Sequence, residues 1–131
     1  MTSATGTFEV TSMNEDTYES LEGDARLTSA NGTQRFTGDI EGEGSVEWLM
    51  CYLADKTTRF VGLQRIVGSI GERSGSFVLE AFGEHDGTQS KGTWRIIAGS
   101  GTEGLSGIRG DGSFHAPGGP GASYSLAYEL E

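Results

Sequence analysis

Trp94-Arg95-Ile96-Ile97-Ala98-Gly99-Ser100-Gly101-Thr102-Glu103-Gly104-Leu105-Ser106-Gly107-Ile108-Arg109-Gly110-Asp111-Gly112 is the stretch whose reading decides the fold. An apolar strand runs straight into a segment with a Gly at every second or third position. Gly99-Ser100-Gly101-Thr102-Glu103-Gly104 fits G-x-G-x-x-G after a strand, the pattern of a dinucleotide loop. That reading needs a following helix, whose N-terminus would hold the pyrophosphate. Instead Gly107, Gly110 and Gly112 come next, each costing a helix interior about 1 kcal/mol relative to Ala. The motif also begins at residue 99 of 131, which leaves too little chain for an alternating strand–helix array. The stretch is therefore read as a tight corner, where Gly supplies positive φ and lets one backbone lie against another. No dinucleotide is expected to bind there.

Outward from this corner, helix signals are almost absent and period-2 alternation recurs between turn residues. Phe8, Val10 and Ser12 alternate with Thr7, Glu9 and Thr11 in a first strand. Residues 14–24, rich in Asp and Glu, read as an acidic surface connection with a short strand piece at Tyr18. Asn31-Gly32 is the strongest hairpin signal, between strands at Leu27–Ala30 and Arg35–Glu41. Ser45–Leu53 follows, with Val46, Trp48, Met50 and Tyr52 on one face and Glu47, Leu49, Cys51 and Leu53 on the other. Strands are further expected at Thr57–Ile70, Gly75–Glu84, Thr88–Ala98 and Ser123–Glu131, with an irregular loop at Pro117-Gly118-Gly119-Pro120-Gly121. The expected fold class is all-β: one domain, residues 1–131, forming a closed, mostly antiparallel eight-stranded barrel.

The Gly-rich stretch, with Phe36-Thr37-Gly38-Asp39-Ile40-Glu41-Gly42, Phe60-Val61-Gly62-Leu63, Gly75-Ser76-Phe77-Val78-Leu79 and Tyr124-Ser125-Leu126-Ala127-Tyr128-Glu129-Leu130, resembles a bacterial family of unknown function, DUF3224. The resemblance covers nearly the whole chain. It implies a calycin-like barrel similar to allene oxide cyclase, and it implies no reaction.

Only 34% of residues are hydrophobic, so the core must be compact, or hollow and partly polar. The net charge of −10 argues against nucleic acid and anionic membranes as partners, since both reward basic patches. The single Cys51 cannot form an internal disulfide, and Met1-Thr2-Ser3-Ala4 opens no signal peptide; the expected location is the cytoplasm. Two His residues without paired spacing offer neither a catalytic triad nor a metal site, and no cofactor is expected. His85 reads as a solvated turn residue, His115 as a residue at the mouth of the Pro/Gly loop, and Cys51 as a small hydrophobe.

Glu47, Arg65, Glu80 and Arg95 interrupt β patterns, and read first as outward cross-strand pairs. An inward charge would have to be paired or to shift its pKa, which would make it a catalytic candidate. Glu80, among Phe77, Val78, Leu79, Ala81 and Phe82, is the one singled out as acid or base. Phe36, Trp48, Tyr52, Trp94, Tyr124 and Tyr128 fall on positions assigned to the interior, as core or as the lining of a ligand pocket. The leading functional expectation is a barrel that binds a small, largely apolar molecule in its interior. Its rivals are a cofactor-independent cyclase or isomerase, and a packed barrel with only a structural or interaction role. With Trp48, Met50 and Tyr52 inward, Leu49, Cys51 and Leu53 must point out, so a homo-oligomer, a dimer first, is expected through that face.

Overall fold

The computed structural model describes residues 1–118 and 121–130 of the chain. These form nine strands: β1 (Thr2–Ser20), β2 (Arg26–Gly38), β3 (Ile40–Tyr52), β4 (Thr58–Ile70), β5 (Arg73–His85), β6 (Ser90–Ile96), β7 (Thr102–Glu103), β8 (Arg109–Ala116) and β9 (Gly121–Glu129). Among the described residues there is no helix. The hydrogen-bonded order is β4-β3-β2-β1-β9-β8-β6-β5, closed by β4 on β5, with every pairing antiparallel. Eight strands thus close the barrel, and the two-residue β7 adds to β5 outside the ring. Closure removes most of the free edge that an open sheet would expose.

The strands are strongly staggered. Starting at Ala4 and following directly paired residues once round the barrel, through Leu126, Gly112, Trp94, Ala81, Gly62, Trp48 and Ala30, the path returns to β1 at Glu15. Such stagger accompanies the strand tilt that closure requires. It has a direct consequence for β1. Its first part pairs with β9 only as far as Glu9, while its pairing with β2 continues to Ser20, so residues 10–20 project past the end of β9.

The acidic segment 14–24 is therefore mostly strand rather than a surface connection. Asn31-Gly32 lies in the middle of β2, paired on both sides, and makes no turn. Gly is required at position 32 for another reason. A bulge between Val10 and Ser12 brings β1 so close that a Cβ at Gly32 would lie 2.2 Å from the Ser12 carbonyl oxygen. The expected strand at 27–30 and most of that at 35–41 are joined into β2, Ile40 and Glu41 begin β3, and β8 emerges from a segment that read as loop, so the total of eight is reached by a different assignment. The expected loop at 117–121 contains Gly119 and Pro120, which lie outside the described residues, as does Glu131 at the end of the last expected strand.

The Gly-rich corner closes one end of the barrel. Leu105 and Ile108 turn inward from it and are fully buried, joining a core of Ile66, Phe77, Leu79 and Leu126. Short-range bonds coil the corner, including Leu105 N–H to Thr102 O (2.9 Å) and Ile108 N–H to Leu105 O (3.1 Å). Others tie it to β5: Gly104 N–H donates to Ser74 O (2.8 Å), and Val78 N–H to the Ser100 hydroxyl oxygen (3.0 Å). A Cβ at Gly101 would lie 2.0 Å from the Leu105 oxygen, so here Gly permits close backbone approach.

Candidate functional site

Above the plugged end the middle of the barrel is filled. Phe36 and Trp94 are fully enclosed, and the rings of Phe8, Phe36, Trp94 and Tyr124 follow one another at centroid spacings of 5.0 to 6.2 Å. Two buried amides thread this core. Trp94 Nε1–H donates to Gln64 Oε1 (2.8 Å), and Gln64 Nε2–H donates to Gln34 Oε1 (2.7 Å). The Tyr124 hydroxyl accepts the Ile40 N–H (2.9 Å) and donates to Thr37 O (3.0 Å), so it staples the β2–β3 corner to the core. Burial raises its pKa above the ordinary tyrosine value. Each polar tip in this region is already satisfied by protein.

Among the described residues, the opposite end of the barrel has no such plug. Exposure of the core aromatics rises toward it, from 0% at Trp94 and 1% at Phe36 to 7–8% at Phe8, Trp48, Phe60 and Phe114. These last four form a continuous floor: Trp48 meets Phe60 edge-on at 5.0 Å, Phe60 lies 6.2 Å from Phe114, and Phe114 lies 5.9 Å from Phe8. The sequence builds the floor by setting rings opposite glycines across the ladder, Phe60 against Gly83 and Phe114 against Gly92. A Cβ at Gly92 would lie 2.1 Å from the Phe114 ring, so the flat ring occupies the place of the absent side chain.

Around this floor runs a rim read directly from the register: Arg26 faces Tyr52, Tyr52 faces Thr58, Thr58 faces His85, His85 faces Ser90, and Ser90 faces Ala116. The overhanging part of β1 adds Glu15, whose partner Ala30 is an inward residue. Glu15 Oε2 accepts hydrogen bonds from both the Thr28 hydroxyl and the Tyr52 hydroxyl, each at 2.6 Å. The Arg26 guanidinium lies 4.2 Å from the centre of the Tyr52 ring. Burial pushes the Tyr52 hydroxyl up to about 12, the hydrogen bond and charge of Glu15 act in the same direction, and Arg26 opposes them. On the same rim His85 Nδ1 lies 2.8 Å from the Ser90 hydroxyl.

Of the residues singled out from the sequence, the structure brings Trp48 and Tyr52 to this mouth. Phe36, Trp94 and Tyr124 are in the packed middle, and Tyr128 is partly buried on β9, facing Gly110 and Thr2. Glu80 stands on the outer wall, its side chain 46% exposed, with Glu80 Oε1 4.0 Å from Arg95 Nη1. That is the outward cross-strand pair, and the surrounding apolar residues belong to the two faces of one strand. His115 also faces outward, its Nε2 2.7 Å from Gln89 Oε1. Among the described residues, no three His, Cys, Asp or Glu side chains converge as a metal site would require. Glu15, Thr28, Phe60 and Phe114 were not singled out. For Glu15 the available signal is Met13, Glu15 and Thr17, whose alternation continues that of the first strand on the far side of the bulge.

The chain matches the family model "Protein of unknown function (DUF3224)" over residues 4–128. No curated protein matches it. It is similar to a crystal structure of a protein with unknown function from the DUF3224 family of Shewanella oneidensis MR-1, at 27% identity and a TM-score of 0.85, over 100% of this chain and 98% of that one. A staggered eight-stranded barrel plugged by its Gly-rich corner, and a family match from the first strand to the last, place this chain in the DUF3224 family.

Proposed function

We propose that this barrel binds a small, largely apolar molecule at its open mouth, the apolar body resting on Phe8, Trp48, Phe60 and Phe114. The observation that carries the reading is the coincidence of that aromatic floor with converging polar atoms above it. Binding sites of this kind combine apolar walls with a few placed polar groups. Glu15 Oε2 is occupied by Thr28 and Tyr52, and its Oε1 makes no hydrogen bond with any described residue. It therefore suits a ligand that donates a proton there, such as an alcohol or phenol, and repels a carboxylate.

The same Tyr–Glu pair could be read as the acid and base of a cyclase or isomerase. Efficient proton transfer wants a group whose pKa lies near the working pH. Tyr52, pushed up to about 12 and already donating its hydrogen bond to Glu15, is a poor proton donor near neutrality; binding requires no such transfer and is the reading proposed.

Isothermal titration with 2-naphthol and 2-naphthoic acid tests the reading. The phenol binds and the acid binds at least tenfold more weakly; Phe60→Ala abolishes binding, and Glu15→Gln narrows the difference between the two. Absence of binding by either aromatic, or equal binding with no effect of Phe60→Ala, refutes a mouth site of this chemistry.

A further inference from the structure

The outer wall of the barrel carries a second apolar surface, on the opposite face of the strands that build the mouth. Leu49, Val61 and Phe82 face one another across β3, β4 and β5 in a single ladder row, and Leu63 stands in the next row. They are 53%, 53%, 46% and 50% exposed. The row ends in Ser29 on β2 and Thr93 on β6. A groove of about 700 Å³ lies against this wall, edged by Tyr18, Leu27 and Cys51, and its lining also takes in Phe60 of the mouth. Isolated exposed apolar residues need no explanation, whereas a contiguous patch marks a contact surface.

Charge selects the occupant. The chain carries −10, so two copies repel over most of their surface. This wall is the exception: Arg59, Glu84 and Lys91 share the ladder row on one side of the apolar row, Glu47, Glu80 and Arg95 share the row on the other side, and Arg65 stands one row further on. It thus holds four of the chain's nine Lys and Arg residues, set around an apolar centre. A mixed, nearly neutral patch complements itself, as a two-fold interface between identical chains must. Its internal pairs are also loose and exposed, Arg59–Glu84 at 3.8 Å and Arg95–Glu80 at 4.0 Å, so they can exchange for partners on a second copy with little loss. The chain's accessible surface is 7231 Å², against roughly 6,600 Å² for a self-contained monomer of this mass.

We propose that the outer face of β3–β5 docks a second copy of this chain, giving a two-fold dimer centred on Leu49, Val61 and Phe82. Analytical ultracentrifugation of the purified chain at about 20 μM tests it. The wild type sediments at twice 13.8 kDa. Leu49→Asp and Val61→Asp, both at exposed positions, weaken the dimer at least tenfold while the far-UV circular dichroism stays unchanged. Ser125→Asp, an exposed outward position on the opposite wall, leaves the dimer intact. A monomeric wild type, a dimer indifferent to both Asp substitutions on this wall, or a dimer broken equally by Ser125→Asp overturns the proposal.

Discussion

Gln64 is the residue on which the interior can be tested most sharply. It is fully enclosed, and both ends of its amide are engaged, by Trp94 Nε1–H at 2.8 Å and by Gln34 Oε1 at 2.7 Å. Gln64→Leu keeps the volume nearly constant and removes both bonds. It leaves the indole N–H and the Gln34 carbonyl oxygen buried without partners, at about 1–3 kcal/mol each. Burying an apolar group in place of the amide returns about 1 kcal/mol, so a net loss of about 1–5 kcal/mol is expected. The double variant Gln34→Leu/Gln64→Leu leaves only the indole unpaired, and should be no less stable than Gln64→Leu alone. That outcome is a coupling of at least about 1 kcal/mol between the two sites, as expected of residues in one hydrogen-bonded chain. Urea unfolding followed by tryptophan fluorescence measures it; with a slope of about 2 kcal/mol per molar, the midpoint of the single variant falls by about 0.5–2.5 M. If Gln64→Leu is neutral, or the two losses simply add, the amide chain does not hold the barrel as described.

Leu105→Ala should cost about 2–5 kcal/mol in the same assay, because it empties a fully buried position in the plug, and a loss under about 1 kcal/mol would show that the corner does not seal the barrel. Tyr52 should ionise near pH 12, read as the difference between ultraviolet titrations of wild type and Tyr52→Phe; a midpoint at the ordinary value of 10.0 would refute both its burial and its bond to Glu15. Since the folded pKa lies above the ordinary one, the stability Tyr52 contributes is complete below about pH 10 and is lost as pH rises toward 12.

Where side chains alternate without interruption, the sequence was a sufficient guide. β4 and β5 fall almost where the pattern puts them, and the Gly-rich corner is the architectural feature that its missing helix implied. The errors cluster at glycines. Asn31-Gly32 has the chemistry of a turn, but Gly32 serves a bulge in the neighbouring strand, which no local pattern reveals. β8 was hidden because Gly110 and Gly112 supply no side chains to mark its alternation. The mouth was legible in part: Trp48 and Tyr52 stand out as inward aromatics, whereas Glu15 reaches them only through the stagger of the closed barrel. Stagger depends on the pairing of every strand, so it cannot be read from any one of them.

The two-sided apolarity of β3 then has two separate causes. Its inner face, Val46, Trp48 and Met50, is apolar because it joins the core and the floor of the mouth. That requirement holds for every strand of a filled barrel and would be met with a polar outer face, as on β9, where Ser123 and Ser125 point out. Leu49 and Cys51 on the outer face serve no interior purpose, Leu53 lies just past the end of the strand, and the exposed Leu49 continues directly into Val61 and Phe82 on the next two strands. A contiguous apolar surface that folding does not require is the observation behind the proposed dimer. Substitutions on the two faces of this strand should therefore separate cleanly: changes at Trp48 alter ligand binding and stability, while changes at Leu49 alter assembly and leave the fold intact.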